Sequence, residues 1–476
     1  MITENKNRKE INDNIWALNY DPEAVLAFRG DTISTFVEKE GRTNGDKYIV
    51  VTKKKHTMEG DYDITVSNSN LSMTYPGALL LANLQLVEGF PSPLTAERAP
   101  IDICIDLPGL KNGNHCIVEK PTYSSVNDAI AQLLENWYVK NEQGYEVPVK
   151  LQYKSSILYD EKAMALKFGC DVEFMRQKLG IDFEMIKNQK RSAYLMEFKQ
   201  IFYTVSIDSP KNPADVFGDT VTWEELSRKT NEKNPPVYVQ NVQYGREIFL
   251  LLESNMDSES LSAMIEGNFS WNNGKLSING KVNFKELEKD LKSTVYIVGG
   301  APLKIDFGSD LVSQINQLIA ENTKLVKKNP ATPLCYTVAF LKDNRIGNVY
   351  GKTEYVTSES KSFSSGAIEL EHNGAYVARF YVSWDLIDGF DELGNEKLNH
   401  KSWEGNGQNK TAGFRTIIQL PANAKNIQVK AEGATGLVWD KWHTSVNTPP
   451  MPLVQKRKIF ISGTTLNQKG KIEPQL

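Results

Sequence analysis

Cysteine is scarce in this sequence, with only Cys104, Cys116, Cys170 and Cys335 among 476 residues. None has a CxxC or other metal-ligand spacing, which excludes a zinc-stabilised or disulfide-framed scaffold. The thiols are expected to be reduced, with a Cys104 to Cys116 pairing across a strand connection as the alternative. Histidine is sparse too, and His56, His115, His372, His400 and His443 are scattered. There is no GxSxG or HExxH motif, and Gly267 to Lys275 lacks P-loop spacing, so no enzyme is expected, and no catalytic residue, cofactor or metal site. No run of 18 apolar residues occurs, so no helix of this chain can span a bilayer. Neither sign of charge dominates. With 55 basic and 59 acidic residues and a pI near 5.9, no broad basic face recommends nucleic acid as a partner. The start, Met1 to Glu10, is polar and lacks an apolar signal core, which leaves open a cytoplasmic protein or a mature chain without its leader.

Long strand periodicity is what the sequence does contain. Met164, Leu166, Phe168, Cys170, Val172 and Phe174 occupy every second position, and after a polar break Leu179, Ile181 and Phe183 resume the alternation. A second copy follows about a hundred residues later, with Phe269 and Trp271, then Asn273-Gly274, then Leu276, Ile278, Val282 and Phe284. Asn-Gly favours a two-residue type I′ turn because both central residues need positive φ. That register faces Asn272 with Lys275, Trp271 with Leu276 and Phe269 with Ile278. Half-buried strands of soluble sheets alternate as well, and they are the plain alternative. Against it, the runs reach the roughly 9 to 11 residues that a tilted transmembrane strand requires, whereas ordinary strands average about 5 to 6. Both segments also hold helix formers, Ala163, Met164, Glu173, Met175, Arg176 and Gln177 in the first and Leu287 to Leu291 in the second, a combination that invites a structural switch.

Energetics dictate how such hairpins could enter a membrane. Two hairpins supply four strands, and each open edge would leave N–H and C=O groups unpaired in lipid at several kcal/mol apiece. Closing a barrel from many copies removes the edges, so insertion requires prior oligomerisation on the surface. A further apolar feature lies near the C-terminus, where Trp439 and Trp442 stand in the short stretch Gly433-Ala434-Thr435-Gly436-Leu437-Val438-Trp439-Asp440-Lys441-Trp442-His443. Amphipathic rings beside aliphatic tips suit a membrane interface; rings folded back onto a sheet are the alternative.

The stretch Gly433 to His443 resembles the tryptophan-rich undecapeptide of the cholesterol-dependent cytolysins, usually E-C-T-G-L-A-W-E-W-W-R, and Thr465-Leu466 resembles their Thr-Leu pair. Further similarity runs in order along nearly the whole chain, including Tyr75-Pro76-Gly77-Ala78-Leu79, Asp106-Leu107-Pro108-Gly109-Leu110, Tyr244-Gly245-Arg246 and Phe340-Leu341-Lys342-Asp343-Asn344. The resemblance implies an α+β, mainly β, elongated multidomain cytolysin fold. Domain 1 would be discontinuous over residues 1–30, 61–150 and 201–246, and domain 2 a β linker over 31–60 and 349–366. Domain 3, a core sheet flanked by helical clusters, would cover 151–200 and 247–324, with 325–348 returning through domains 1 and 3. A membrane-binding β-sandwich, domain 4, would cover 367–476. The alternating segments fall at about 161–189 and 257–289, where the family keeps transmembrane hairpins folded as helices in the soluble monomer.

Function follows from the same resemblance as an expectation. It implies a secreted pore-forming toxin, soluble as a monomer or weak dimer, that binds cholesterol in target membranes and homo-oligomerises. The product would be a multi-pass β-barrel in the host cell membrane. A sterol- or glycan-binding relative that attaches without efficient lysis is the alternative. Thr465 and Leu466 would contact the sterol, with Ala412 and Met451 in neighbouring tip loops. Gly299 and Gly300 match a diglycine hinge, and the amphipathic segment Ser309, Leu311, Ile315, Leu318, Ile319 would cover the adjoining sheet edge. Departures from the pattern matter as well. Ala434 replaces the cysteine and argues against thiol dependence; Lys441 replaces a ring; His443 replaces the arginine that couples binding to later changes. Ser293 replaces an aromatic, with Tyr296 as a substitute if the alignment shifts. No Tyr follows Trp439, so the family's protein-receptor signature is missing and sterol is favoured.

Overall fold

The computed structural model describes residues 6–35, 37–62, 64–66, 70–140, 150–170, 172, 174–188, 190–272, 275–278, 291–300, 316–317, 325–439 and 441–473. Two compact units form, one from residues 1–33 and 55–356, the other from 34–54 and 357–476. The chain passes between them along the strands Lys47–Tyr62 and Val349–Ser364.

The elements that matter in the first unit are, in chain order, β1 (Lys150–Ile157), α1 (Glu161–Phe168), α2 (Phe183–Lys187), β2 (Ser192–Ile207), β3 (Pro236–Ser254), α3 (Ser258–Asn268), β4 (Phe269–Asn272), β5 (Lys275–Ile278), β6 (Leu291–Val298) and β7 (Thr332–Phe340). An eleven-stranded sheet has the long pair β2 and β3 as its spine, antiparallel from Ser192↔Ser254 to Ser206↔Asn241. β2 is buried without a break from Ser192 to Tyr203, because helices cover both of its faces there. On one face Tyr194, Met196, Phe198, Ile248, Leu250 and Leu252 pack with Leu261 and Ile265 of α3. On the other, Leu195, Phe249 and Leu251 pack with Met164, Phe168, Met175 and Ile186 of the first helical cluster. A separate core beyond this region joins the remaining strands to the helix Tyr123–Lys140 through Val126, Ile130, Leu133 and Trp137.

Strand alternation in the first hairpin segment does not give strands here. α1 starts at Asp160, whose carboxylate accepts from the amides of Lys162 and Ala163, and ends at Gly169 in the left-handed region. Phe174–Lys178 forms one π-helical turn, and Asp182 caps α2. Local capping and tertiary burial override the period-2 pattern, so Ala163 and Ala165 are buried along with Met164 and Leu166. The second segment does contain a short ribbon. β4 and β5 pair with Asn272↔Lys275, Trp271↔Leu276 and Phe269↔Ile278, the register read from Asn-Gly. Val282, Phe284, Ser309, Leu311, Ile315, Leu318, Ile319 and Asp440 lie outside the described residues.

Two smaller expectations are corrected. Register places Cys116 opposite Ile103 and Cys104 opposite His115, so the two thiols point to opposite faces of their ribbon and cannot pair. All four cysteines are free. Tyr296, opposite Phe249, packs edge-on to Phe174 at 5.6 Å, whereas Ser293 is opposite Leu252 on the other face of β6. Tyr296 therefore does not take the place of an aromatic at 293.

In the second unit, Lys39–Asn44 pairs antiparallel with Lys47–Thr52. The remainder is a sandwich of β8 (Gly366–His372), β9 (Ala378–Phe390), β10 (Glu396–Ser402), β11 (Phe414–Leu420), β12 (Ala424–Ala434), β13 (Trp442–Asn447), β14 (Arg457–Thr464) and β15 (Asn467–Glu473). One sheet runs β11-β8-β14-β15 and the other β10-β9-β12-β13. Inward residues alternate as sandwich packing demands, with Ile368, Leu370, Phe380, Val382, Val429, Ala431, Ile459 and Ile461 filling the core.

Candidate membrane-contact site

Connectivity gathers four loops at one end of the sandwich: 373–377 after β8, 403–413 after β10, 435–441 after β12, and the Thr465-Leu466 turn after β14. Backbone bonds tie them together, with Gly413 N donating to His372 O at 2.7 Å, Ala375 N to Gly463 O at 2.8 Å and Ala434 N to Val377 O at 2.7 Å. His372 is fully buried beneath them. Its Nδ1 accepts from Gly374 N and its Nε2 lies 2.7 Å from Tyr376 O, an arrangement that requires the neutral Nε2–H tautomer.

The tryptophan-rich loop closes through Thr435 N to Lys441 O at 3.2 Å, and Thr435 Oγ1 accepts from Leu437 N at 3.1 Å. Its two rings have different fates. Trp439 is 83% exposed beside Val438 at 81%, whereas Trp442 is half-buried with the Arg379 guanidinium 4.0 Å from its ring centroid. Leu466 is 83% exposed, and Thr465, Ala412, Gly436, Lys441 and His443 are exposed as well. Thr435 is buried at the base, Gly433 with it, and Leu437 is half-buried. Met451 does not join this end. It is buried in the core and bridges to Ile427 near the start of β12, at the opposite end of the sandwich.

The first unit holds the other candidate residues. Met164, Phe168, Leu179, Ile181 and Phe183 are buried, as is Leu166, while Cys170, Val172 and Phe174 are half-buried. Only the backbone is described for Phe269, Trp271, Leu276 and Ile278. Gly299 and Gly300 follow β6 with φ of +74° and +79°. A Cβ on Gly300 would lie 2.8 Å from Arg246 Cδ and 2.9 Å from Asn329 Oδ1, so both backbone conformation and space demand glycine there. β6 pairs with β3, and among the described residues no strand pairs with its other edge. Below the first helical cluster, on the face shared with Leu195 and Phe249, Lys199 Nζ lies 3.4 Å from carboxylate oxygens of both Glu197 and Glu247. Burial and the neighbouring Glu247 push the Glu197 carboxyl up to about 8.

Residues 10–363 match the thiol-activated cytolysin family, and residues 367–469 match its β-sandwich domain. The chain belongs to the thiol-activated, cholesterol-dependent cytolysins. It is 39% identical to tetanolysin of Clostridium tetani over 99% of this chain and 89% of that one. Perfringolysin O of Clostridium perfringens is 38% identical over 96% and 91%. The crystal structure of listeriolysin O superposes with a TM-score of 0.82 at 34% identity, covering 100% of this chain and 98% of the other. A cytolysin of this kind is a pore-forming toxin that acts on membranes as an oligomer, not an enzyme, which accords with the missing catalytic motifs. Its mainly β architecture ends in the family's sandwich.

Two residues at the tip escaped the sequence reading. Gln468 and Arg379 bind the loops from beneath, and no motif or period marks them, since each matters only through strands that the fold brings together.

Proposed function

We propose that this cytolysin is a secreted toxin that binds cholesterol-containing membranes through the sandwich tip, assembles into a prepore and inserts two β-hairpins per subunit. The observation carrying this reading is the tip itself, where Val438, Trp439 and Leu466 stand almost fully in solvent. Apolar side chains so displayed on a folded sandwich lose about 25 cal/mol for every Å² left wet, a loss that contact with lipid removes. Thr465 offers a hydroxyl for the sterol 3-OH and Leu466 a side chain for its ring face. Hairpin insertion is supported by the alternation of residues 164–183 and by the register of β4 and β5. Gly299 and Gly300 act as the hinge that frees β6 for a neighbouring subunit.

Liposomes test the reading directly. Dye release that requires cholesterol, with rings or arcs on the vesicles in electron micrographs, is the expected result. Equal binding to sterol-free vesicles would remove the sterol assignment. A second reading, attachment without efficient lysis, is favoured by Lys441, a strongly hydrated cation where the family has a ring, and by His443 in place of arginine. Sedimentation with cholesterol vesicles and no release would select it.

A further inference from the structure

The tryptophan-rich loop and the Thr465-Leu466 turn belong to different sheets, yet one side chain joins them. Gln468, two residues past Leu466 and half-buried, points its amide between the two loops. Its Nε2 donates to Ala434 O at 3.2 Å and to Thr465 O at 3.4 Å, and its Oε1 accepts from Ser445 Oγ at 3.1 Å. Both N–H groups of one planar amide are thus divided between the two loops, and β13 holds the third corner. Space for this amide exists because residue 433 has no side chain. A Cβ on Gly433 would lie 2.2 Å from Gln468 Oε1 and 2.4 Å from the Tyr376 ring. The cytolysin pattern has glutamate at that position, where this chain has no side chain.

The other limb of the tryptophan loop is anchored independently. Arg379 covers Trp442 and donates from Nε to Asn409 Oδ1 at 2.8 Å. Removing the Gln468 amide therefore breaks the direct side-chain link between the loops without detaching the tryptophan loop from the sandwich, and leaves the indirect backbone path through residues 375–377 in place.

We propose that Gln468 is a positioning residue that makes the tryptophan-rich loop and the Thr465-Leu466 turn one contact unit, so that seating either in a membrane sets the depth of the other. The membrane side of this inference rests on the function proposed above; the latch itself is a property of the soluble protein. Full-length native protein, Gln468→Leu and Gly433→Glu are compared by hydrogen exchange without lipid. Leucine keeps the bulk and removes all three bonds, and the glutamate at 433 displaces the amide. Each variant is expected to raise amide exchange about 5-fold in residues 435–442 and 464–468 together, the size expected for losing one or two net hydrogen bonds, and Gln468→Leu to do so with an unchanged melting temperature. Unchanged exchange, or a rise in one loop alone, overturns the latch.

A double-mutant cycle of Trp439→Ala and Leu466→Ala then reads the coupling on phosphatidylcholine vesicles with and without cholesterol. In the native background the paired loss of affinity should differ from the product of the single losses by about 5-fold, and in Gln468→Leu it should equal that product. Persistence of the same non-additivity in Gln468→Leu refutes the positioning role, which simple bulk at 468 would not alter. Binding that ignores cholesterol would defeat the sterol reading instead, while the exchange data and the cycle on the vesicles bound would still decide the latch.

Discussion

The first helical cluster and the sandwich tip use the same kinds of residue in opposite ways. In the cluster Met164, Phe168, Met175 and Phe183 are shut against the core sheet, while at the tip Val438, Trp439 and Leu466 stand in water. Stored apolar surface stabilises the soluble fold, and displayed apolar surface does not. The function proposed above needs both, because recognition of a membrane would have to precede any release of the segment that would enter it. The cluster is accordingly expected to govern stability and the tip to govern attachment, with little crossover.

The largest predicted effect tests the stored side. Phe168→Ala, at a fully buried position, should cost about 3 to 5 kcal/mol in urea unfolding of the first unit and leave vesicle attachment unaltered. Loss of attachment in a folded Phe168→Ala protein would break the contrast. On the displayed side, Leu466→Ala should leave the unfolding midpoint in place and weaken attachment to cholesterol-rich vesicles by about 1.5 to 3 kcal/mol, the gain from burying one leucine. Titration of vesicles by tryptophan emission measures it. Gly300→Ala should destabilise by about 1 to 2 kcal/mol, since alanine is strained at φ of +79°, and should not change attachment.

The last effect is read as a slope with pH. The native Glu197 carboxyl titrates above its ordinary value of 4.5, so between that value and about 8 the native state keeps a proton that the unfolded chain has lost. Stability therefore falls as pH rises through that window, by at most about 1.4 kcal/mol per pH unit for one group, and levels off above it. Glu197→Gln should flatten this slope in denaturant melts taken at a series of pH values. A slope that survives in Glu197→Gln would assign it to other groups.

Legibility differed between the two regions for physical reasons. The β4–β5 register is readable because Asn-Gly favours a two-residue turn and the side-chain period then fixes every pair. Helices at residues 161–187 were not readable from alternation, which Asp160, Gly169 and Asp182 outweigh by capping and the core sheet outweighs by burial. Trp439 and Trp442 look equivalent in sequence, but among the described residues only the second has a cation over its ring. The family resemblance implies Met451 in a tip loop, whereas its bridge to Ile427 puts it at the other end.

By itself the sequence determined the family, the absence of a catalytic apparatus, the alternating segments and the two motifs of the tip, because these are carried by residue type and spacing. Tertiary structure decided which apolar residues are stored and which displayed, that Cys104 and Cys116 face apart, and that Gln468 joins two loops. Burial and hydrogen-bond partners depend on strands far apart in the chain meeting in one register, and no local pattern encodes that meeting.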